Sequence, residues 1–277
     1  MFRSLALALL LLSAACSGPQ VVKEGPGWRE VQASGSTTAV EVTTTDPQEL
    51  ATIARTHADP RLRESAAGRL EDPAVLSEVA RGDSEARVRA AAVSRLSDRA
   101  VLSIISQNDK DESVRAAAAE RRDLIRFVGP GHPEHAGWTS RAPGTWVRLR
   151  AELKIGERAG TVDVLRTVIR SGVSGVLLEQ REATTRRALQ GTVKDMLDRT
   201  DFPAGMRQEG EDSTELGGRR VPCRTVLWSG QYGRVIARIK FWLSEEVPGG
   251  IARVDVEESP EGEPIRYLRA RVVQWGP

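Results

Sequence analysis

The chain has 277 residues, 40% hydrophobic and 28% charged, ordinary globular proportions that exclude a largely disordered chain and a multi-spanning membrane protein. Its 40 Lys and Arg against 38 Asp and Glu give a formal charge of +2, too balanced to suggest nucleic-acid binding. No apolar run reaches the roughly 18–20 residues that a spanning helix needs.

The first element is a leader. Met1-Phe2-Arg3 is a short basic start, and residues 4–15 (SLALALLLLSAA) form an apolar core of signal-peptide length that ends in small residues. Ser13-Ala14-Ala15-Cys16 follows, then Ser17-Gly18-Pro19. This run resembles a bacterial lipobox, with Ser13 where the family usually has leucine. The resemblance implies removal of residues 1–15 and acylation of Cys16, the expected lipidation site. Each buried methylene contributes about 0.8 kcal/mol, so several acyl chains anchor stably where one binds marginally. Ser17 after the cysteine implies, by the same resemblance, the outer membrane facing the periplasm. With Cys16 lipidated, Cys223 is left without a partner for an internal disulfide, and its apolar setting reads as a buried structural thiol.

Residues 16–45 are rich in Gly, Pro, Ser and Thr and read as a lipid-anchored tether. Within it, residues 37–45 are β-prone and suit a hairpin with residues 28–33. Asp46-Pro47-Gln48-Glu49 then has the form of a helix start, with Asp46 as cap, Pro47 in the first turn and Glu49 closing a capping box. The Asp-Pro opening recurs at Asp59-Pro60 and Asp72-Pro73.

A repeat spans residues 46–126. Arg63, Arg89 and Arg115 lie 26 residues apart, each in a similar frame: LRESAAGRL, VRAAAVSRL and VRAAAAERR. Leu62, Ala66 and Leu70 share a helical face, as do Val88, Ala92 and Leu96. Arg122 stands where the third leucine belongs, which predicts the end of the array. The units resemble HEAT-like repeats or the shorter leucine-rich-repeat variants, although HEAT repeats run to about 40–47 residues. The resemblance implies a short α-solenoid of about three helical repeats, each burying its neighbour's apolar face. Such an array needs a cap, expected from the C-terminal domain. The recurring arginines admit two readings: a basic stripe for an acidic partner, or an inter-repeat ion ladder, which the recurring acids Asp59, Glu85 and Asp111 favour.

Residues 127–144 read as a linker, rich in Gly and Pro. His132, Glu134 and His135 lack the spacing of a zinc site, and no metal or cofactor is expected. From 145 to 277 the apolar period becomes two. Val147, Leu149, Ala151, Leu153 and Ile155 alternate with charged residues, and further strands are predicted at 162–169, 173–182, 221–228, 234–243, 251–257 and 267–275. One helix is predicted at 192–199, and 204–218 reads as a polar, glycine-rich loop. The expected fold class is therefore α+β and multidomain, with the short solenoid followed by a mainly antiparallel β domain of about seven strands.

The strand bearing Cys223, the Phe241-Trp242-Leu243-Ser244 strand end and the Val247-Pro248-Gly249-Gly250 turn together resemble β domains of bacterial lipoproteins. They are similar to the half-barrels of lipoprotein carriers and insertion factors, which implies a concave apolar face for acyl chains. Its candidate lining is Val235, Ala237, Ile239, Phe241 and Leu243. No phosphate loop or nucleophile elbow appears, so no catalytic residue is named and an enzyme is not expected. The expected function is a membrane-anchored scaffold that binds an envelope protein partner through its helical repeats. The alternative is a carrier of lipid or lipoprotein.

Overall fold

The computed structural model describes residues 20–32, 38–132, 134–172, 174–197 and 206–277. The leader and Cys16 lie outside the described residues. Helices and antiparallel sheets are both present, so the fold class is α+β. The chain divides into two compact units, Met1–Ala119 and Glu120–Pro277.

The first unit opens with three strands, β1 (Gln20–Gly25), β2 (Trp28–Gln32) and β3 (Thr38–Val42), paired antiparallel in that order. They occupy much of the stretch expected to be a tether. The glycines and proline that suggest a spacer make a hairpin instead: Gly27, at φ +73°, sits in the β1–β2 turn, in the left-handed region open to glycine. The sheet is tied to the helices that follow. Trp28 meets His57 edge-on at 4.8 Å, and Arg69 donates to the carbonyls of Val42 and Thr44 at 2.6 Å.

Six helices come next: α1 (Pro47–Thr56), α2 (Pro60–Ala67), α3 (Pro73–Gly82), α4 (Ala86–Arg95), α5 (Arg99–Asn108) and α6 (Glu112–Leu124). The starts of α1, α2, α3 and α5 follow from side-chain capping, while α4 begins at Glu85 without a side-chain cap. Asp46 accepts from the amides of Gln48 and Glu49, Asp59 from Arg61, Asp72 from Ala74 and Val75, and Asp98 from Ala100 and Val101. The Asp46 amide donates to Thr44 Oγ1. Helix α1 packs on α2, α3 on α4, and α2 on α4. The expected apolar faces are buried: Leu62, Ala66 and Leu70 in one frame, Val88, Ala92 and Leu96 in the next, Val114 and Ala118 in the last.

The second unit contains β4 (Ile125–Val128), α7 (His135–Thr139), β5 (Trp146–Ile155), β6 (Arg158–Gly172), β7 (Gly175–Glu182), α8 (Gly191–Leu197), β8 (Arg207–Leu216), β9 (Arg219–Tyr232), β10 (Val235–Leu243), β11 (Ile251–Pro260) and β12 (Arg266–Gly276). The strands form one antiparallel sheet in the order β4-β7-β6-β5-β12-β11-β10-β9-β8. Among the described residues nine strands stand where about seven were expected. The two additions are the edges. Strand β4 overlaps the expected linker, which also holds α7, and β8 replaces the expected polar loop. Its sequence, RQEGEDSTEL, hides a strand because an edge strand keeps charged residues facing water; only Thr214 and Leu216 are buried. One face of the sheet carries Val147, Leu149, Ala151, Val164, Val168, Leu178, Leu268, Ala270 and Val272 into the core, where Trp138 of α7 and Met196 and Leu197 of α8 join them.

Candidate functional site

In the helical unit, the recurring arginines form a ladder. Arg63 grips Asp83 through Nε at 2.7 Å and Nη2 at 3.0 Å. Arg89 grips Asp109 in the same way, at 2.8 and 2.7 Å. Each also donates Nη1 to the carbonyl six residues upstream, Arg63 to His57 and Arg89 to Asp83, both at 2.9 Å. The spacing explains why: 26 residues carry one frame onto the next, and the carboxylate always sits 20 residues after its arginine. Arg89 is 2% exposed, so this pair is deeply desolvated and bidentate, a geometry that suits Arg better than Lys. Asp109 is held below the usual carboxylate range chiefly by its bonds to Arg89. For Asp83, burial raises the pKa, but the Arg63 bond and the Glu85 amide lower it further. Two of the three arginines thus belong to an internal ladder rather than to a free basic stripe.

In the sheet unit, the five candidate lining residues do not share one open cavity. Ala237, Ile239 and Phe241 are buried in the core; Val235 and Leu243 are half-buried. Ile239 and Phe241 reach a cavity of about 20 Å³, along with Leu149, Met196 and Val254. That is room for about one water molecule. The apolar face is filled by its own covering elements.

Beside that cavity lies a buried ionic cluster that the sequence reading did not identify. Glu134, 4% exposed, accepts from Arg126 Nη1 and Arg166 Nη1, both at 2.7 Å, and from Trp138 Nε1 at 3.2 Å. Arg166 Nε donates to Gln180 at 2.6 Å. His132 accepts the Glu134 amide at Nδ1, with its Nε2 3.2 Å from Arg126 Nη2. Burial raises the Glu134 pKa, but Arg126, Arg166 and His132 outweigh it and hold the carboxyl far below its ordinary range. The strands explain the meeting. Arg126 pairs with Leu178, Arg166 with Gln180, and Val168 with Leu178, so these side chains leave one face of β4, β7 and β6 under α7. The signal was present in β6: Val164, Arg166 and Val168 are in phase, and an arginine in the phase of buried valines implies a buried counterion. Two of the three residues weighed as metal ligands, His132 and Glu134, serve this cluster. Among the described residues no group of three His, Cys, Asp or Glu is placed to hold a metal.

The opposite face of the sheet is open and charged. Strand register aligns Lys154, Tyr267, Glu257 and Arg238 in one row across β5, β12, β11 and β10. The next row is Glu152, Arg269, Asp255 and Lys240; the third is Arg150, Arg271, Arg253 and Trp242. Much of the charge is internally matched. Asp255 takes Arg253 and Arg269, Glu152 takes Arg271, and Lys240 takes Glu209 at 3.0 Å. Trp242 lies between Lys240 and Arg253, whose charges stand 5.1 and 4.2 Å from its ring centre, and donates its N–H to Asp212 at 2.9 Å. A groove of about 730 Å³ runs along this face, with Trp242 and Tyr267 on its walls. Mixed charge and two aromatic rings suit a polar ligand rather than an acyl chain. Cys223 is buried, donates to the Val221 carbonyl at 3.5 Å, and has its thiol pKa pushed up by burial, which makes it a poor nucleophile. No protein-family model and no curated protein matches the chain.

Proposed function

We propose that the protein is a membrane-anchored extracytoplasmic lipoprotein that acts as a protein-interaction scaffold. In this reading Cys16 carries the acyl anchor and residues 46–126 form a short α-solenoid of about three repeats. The address is the outer membrane, facing the periplasm. The observation that carries the scaffold is the ladder. Arg63–Asp83 and Arg89–Asp109 repeat one bidentate contact at one spacing, which makes successive helix pairs a stiff array. A stiff array of short helices presents a continuous surface without a deep pocket, as solenoid binders do.

The test is in-cell cross-linking of the anchored chain. A photoreactive residue at Ile104, exposed on α5, should yield a discrete adduct with an envelope protein. Replacing Cys16 with Ala should move the protein from the membrane fraction to the soluble one. Native mass spectrometry of the chain without its anchor separates the carrier alternative. A lipid that co-purifies, leaves on solvent extraction and returns on mixing would replace the scaffold with a carrier.

A further inference from the structure

The ladder has an unfilled rung. Arg115 repeats the placement of Arg63 and Arg89, since its Nη1 donates to the carbonyl of Asp109 six residues upstream, at 2.8 Å. That bond holds the guanidinium in the attitude of the two completed rungs. In those rungs the remaining edge, Nε and Nη2, grips an aspartate 20 residues ahead. Twenty residues ahead of Arg115 stands His135, which cannot supply a carboxylate. Among the described residues no carboxylate reaches that edge. A second observation agrees. Ala119 is half-buried, whereas its counterparts one and two repeats earlier, Val93 and Ala67, are fully buried.

We propose that Arg115 and the adjoining surface of α6 form a docking site for a partner protein. The partner presents an aspartate or glutamate on a loop and completes the third rung. This inference rests on the scaffold reading and names the contact through which it works. The occupant follows from charge and shape. A guanidinium with one edge fixed and the other open takes a planar carboxylate in two parallel bonds, as Arg63 and Arg89 already do. A hydrophobic partner would take the cation out of water with no counterion, which disfavours it.

The experiment uses the full anchored chain in its own cells, with a photoreactive residue at Ala116, which is exposed beside Arg115. The expected adduct joins position 116 to another protein, within a few residues of an Asp or Glu. Arg115→Glu should lower its yield by more than about tenfold, because it replaces one partner of a close charge pair with a like charge. Changing the mapped acid to Arg should restore the adduct to the Arg115→Glu chain. Arg115→Gln, with an unchanged melting temperature, guards against misfolding and should also lose the adduct. An adduct that maps to residues 120–277 of the same chain, or that survives Arg115→Glu, overturns the proposal. An adduct at Ile104 without one at 116 leaves the scaffold standing and removes this site; no adduct at either position removes both.

Discussion

Glu134 sits where a carboxyl would ordinarily be neutral, and it stays ionised because two guanidiniums flank it. Removing the charge while keeping the shape exposes what it does. Glu134→Gln would take the Glu134 charge away from the buried Arg126 and Arg166, and breaking a buried ion pair costs about 3–5 kcal/mol. The expected outcome is a fall of that size in urea unfolding. Glu41→Gln is the comparison: its pair with Arg29 is half-exposed on both sides and is worth at most about 1 kcal/mol. Nothing in the composition announced Glu134, because a buried carboxylate needs its partners brought from strands far apart in sequence. Arg126 and Arg166 are 40 residues apart, and only pairing through β7 joins them.

At the scale of the element, the rung between Arg89 and Asp109 ties the helices of one frame to the next. Asp109→Ala strands a buried arginine, so a loss of about 3–5 kcal/mol is expected, with calorimetry as the measure. The α7 segment offers a different test. A Cβ on Gly137 would lie 2.3 Å from the backbone of Gly249 and Gly250, and Gly249 already donates its amide to the Gly137 carbonyl at 3.1 Å. Backbone cannot step aside as a side-chain tip can, so Gly137→Ala should cost about 1–3 kcal/mol and shift the tryptophan fluorescence of Trp138 beneath the turn. Helices α1, α2, α3 and α5 were legible because each starts at an aspartate cap that uses only neighbouring residues, whereas α7 has no such cap and was read as linker. Strand β5 was legible because it alternates cleanly. Strands β4 and β8 were not, since an edge strand is specified by the strand it joins and its own sequence can stay polar. The hairpin of β1 and β2 was masked by its own turn residues. For the apolar face of β10, the sequence identified the inward residues Ala237, Ile239 and Phe241 and the helix at 192–199 that brings Met196 and Leu197 to the core, but not α7 and its Trp138, which helps decide between cavity and core.

Across the molecule, the acids with lowered pKa values include Asp59, Asp83, Asp109, Glu134 and Asp163, which occur in both units. The sign of their linkage is common. A carboxyl whose folded pKa lies below its unfolded one contributes stability above the unfolded value, and that contribution is lost as pH falls through the folded one. With unfolded values near about 4, stability should be flat from pH 7 to about 5 and then fall on acidification, each group adding up to about 1.4 kcal/mol per pH unit. Thermal melts from pH 7 to 3 measure this. Asp109→Asn should flatten the acid limb, and an unchanged limb would mean that its ion pair contributes nothing to the pH dependence.

The ladder also has a beginning. The position 26 residues before Asp83 holds His57, whose Nδ1 accepts the amide of Asp59 and whose ring packs against Trp28. No carboxylate stands at that register to receive an arginine from another copy. The ladder of ion pairs therefore has a donor at one end and no acceptor at the other. In the scaffold reading, a second copy offers no carboxylate at that register, so this rung contact gives identical subunits no means of chaining end to end.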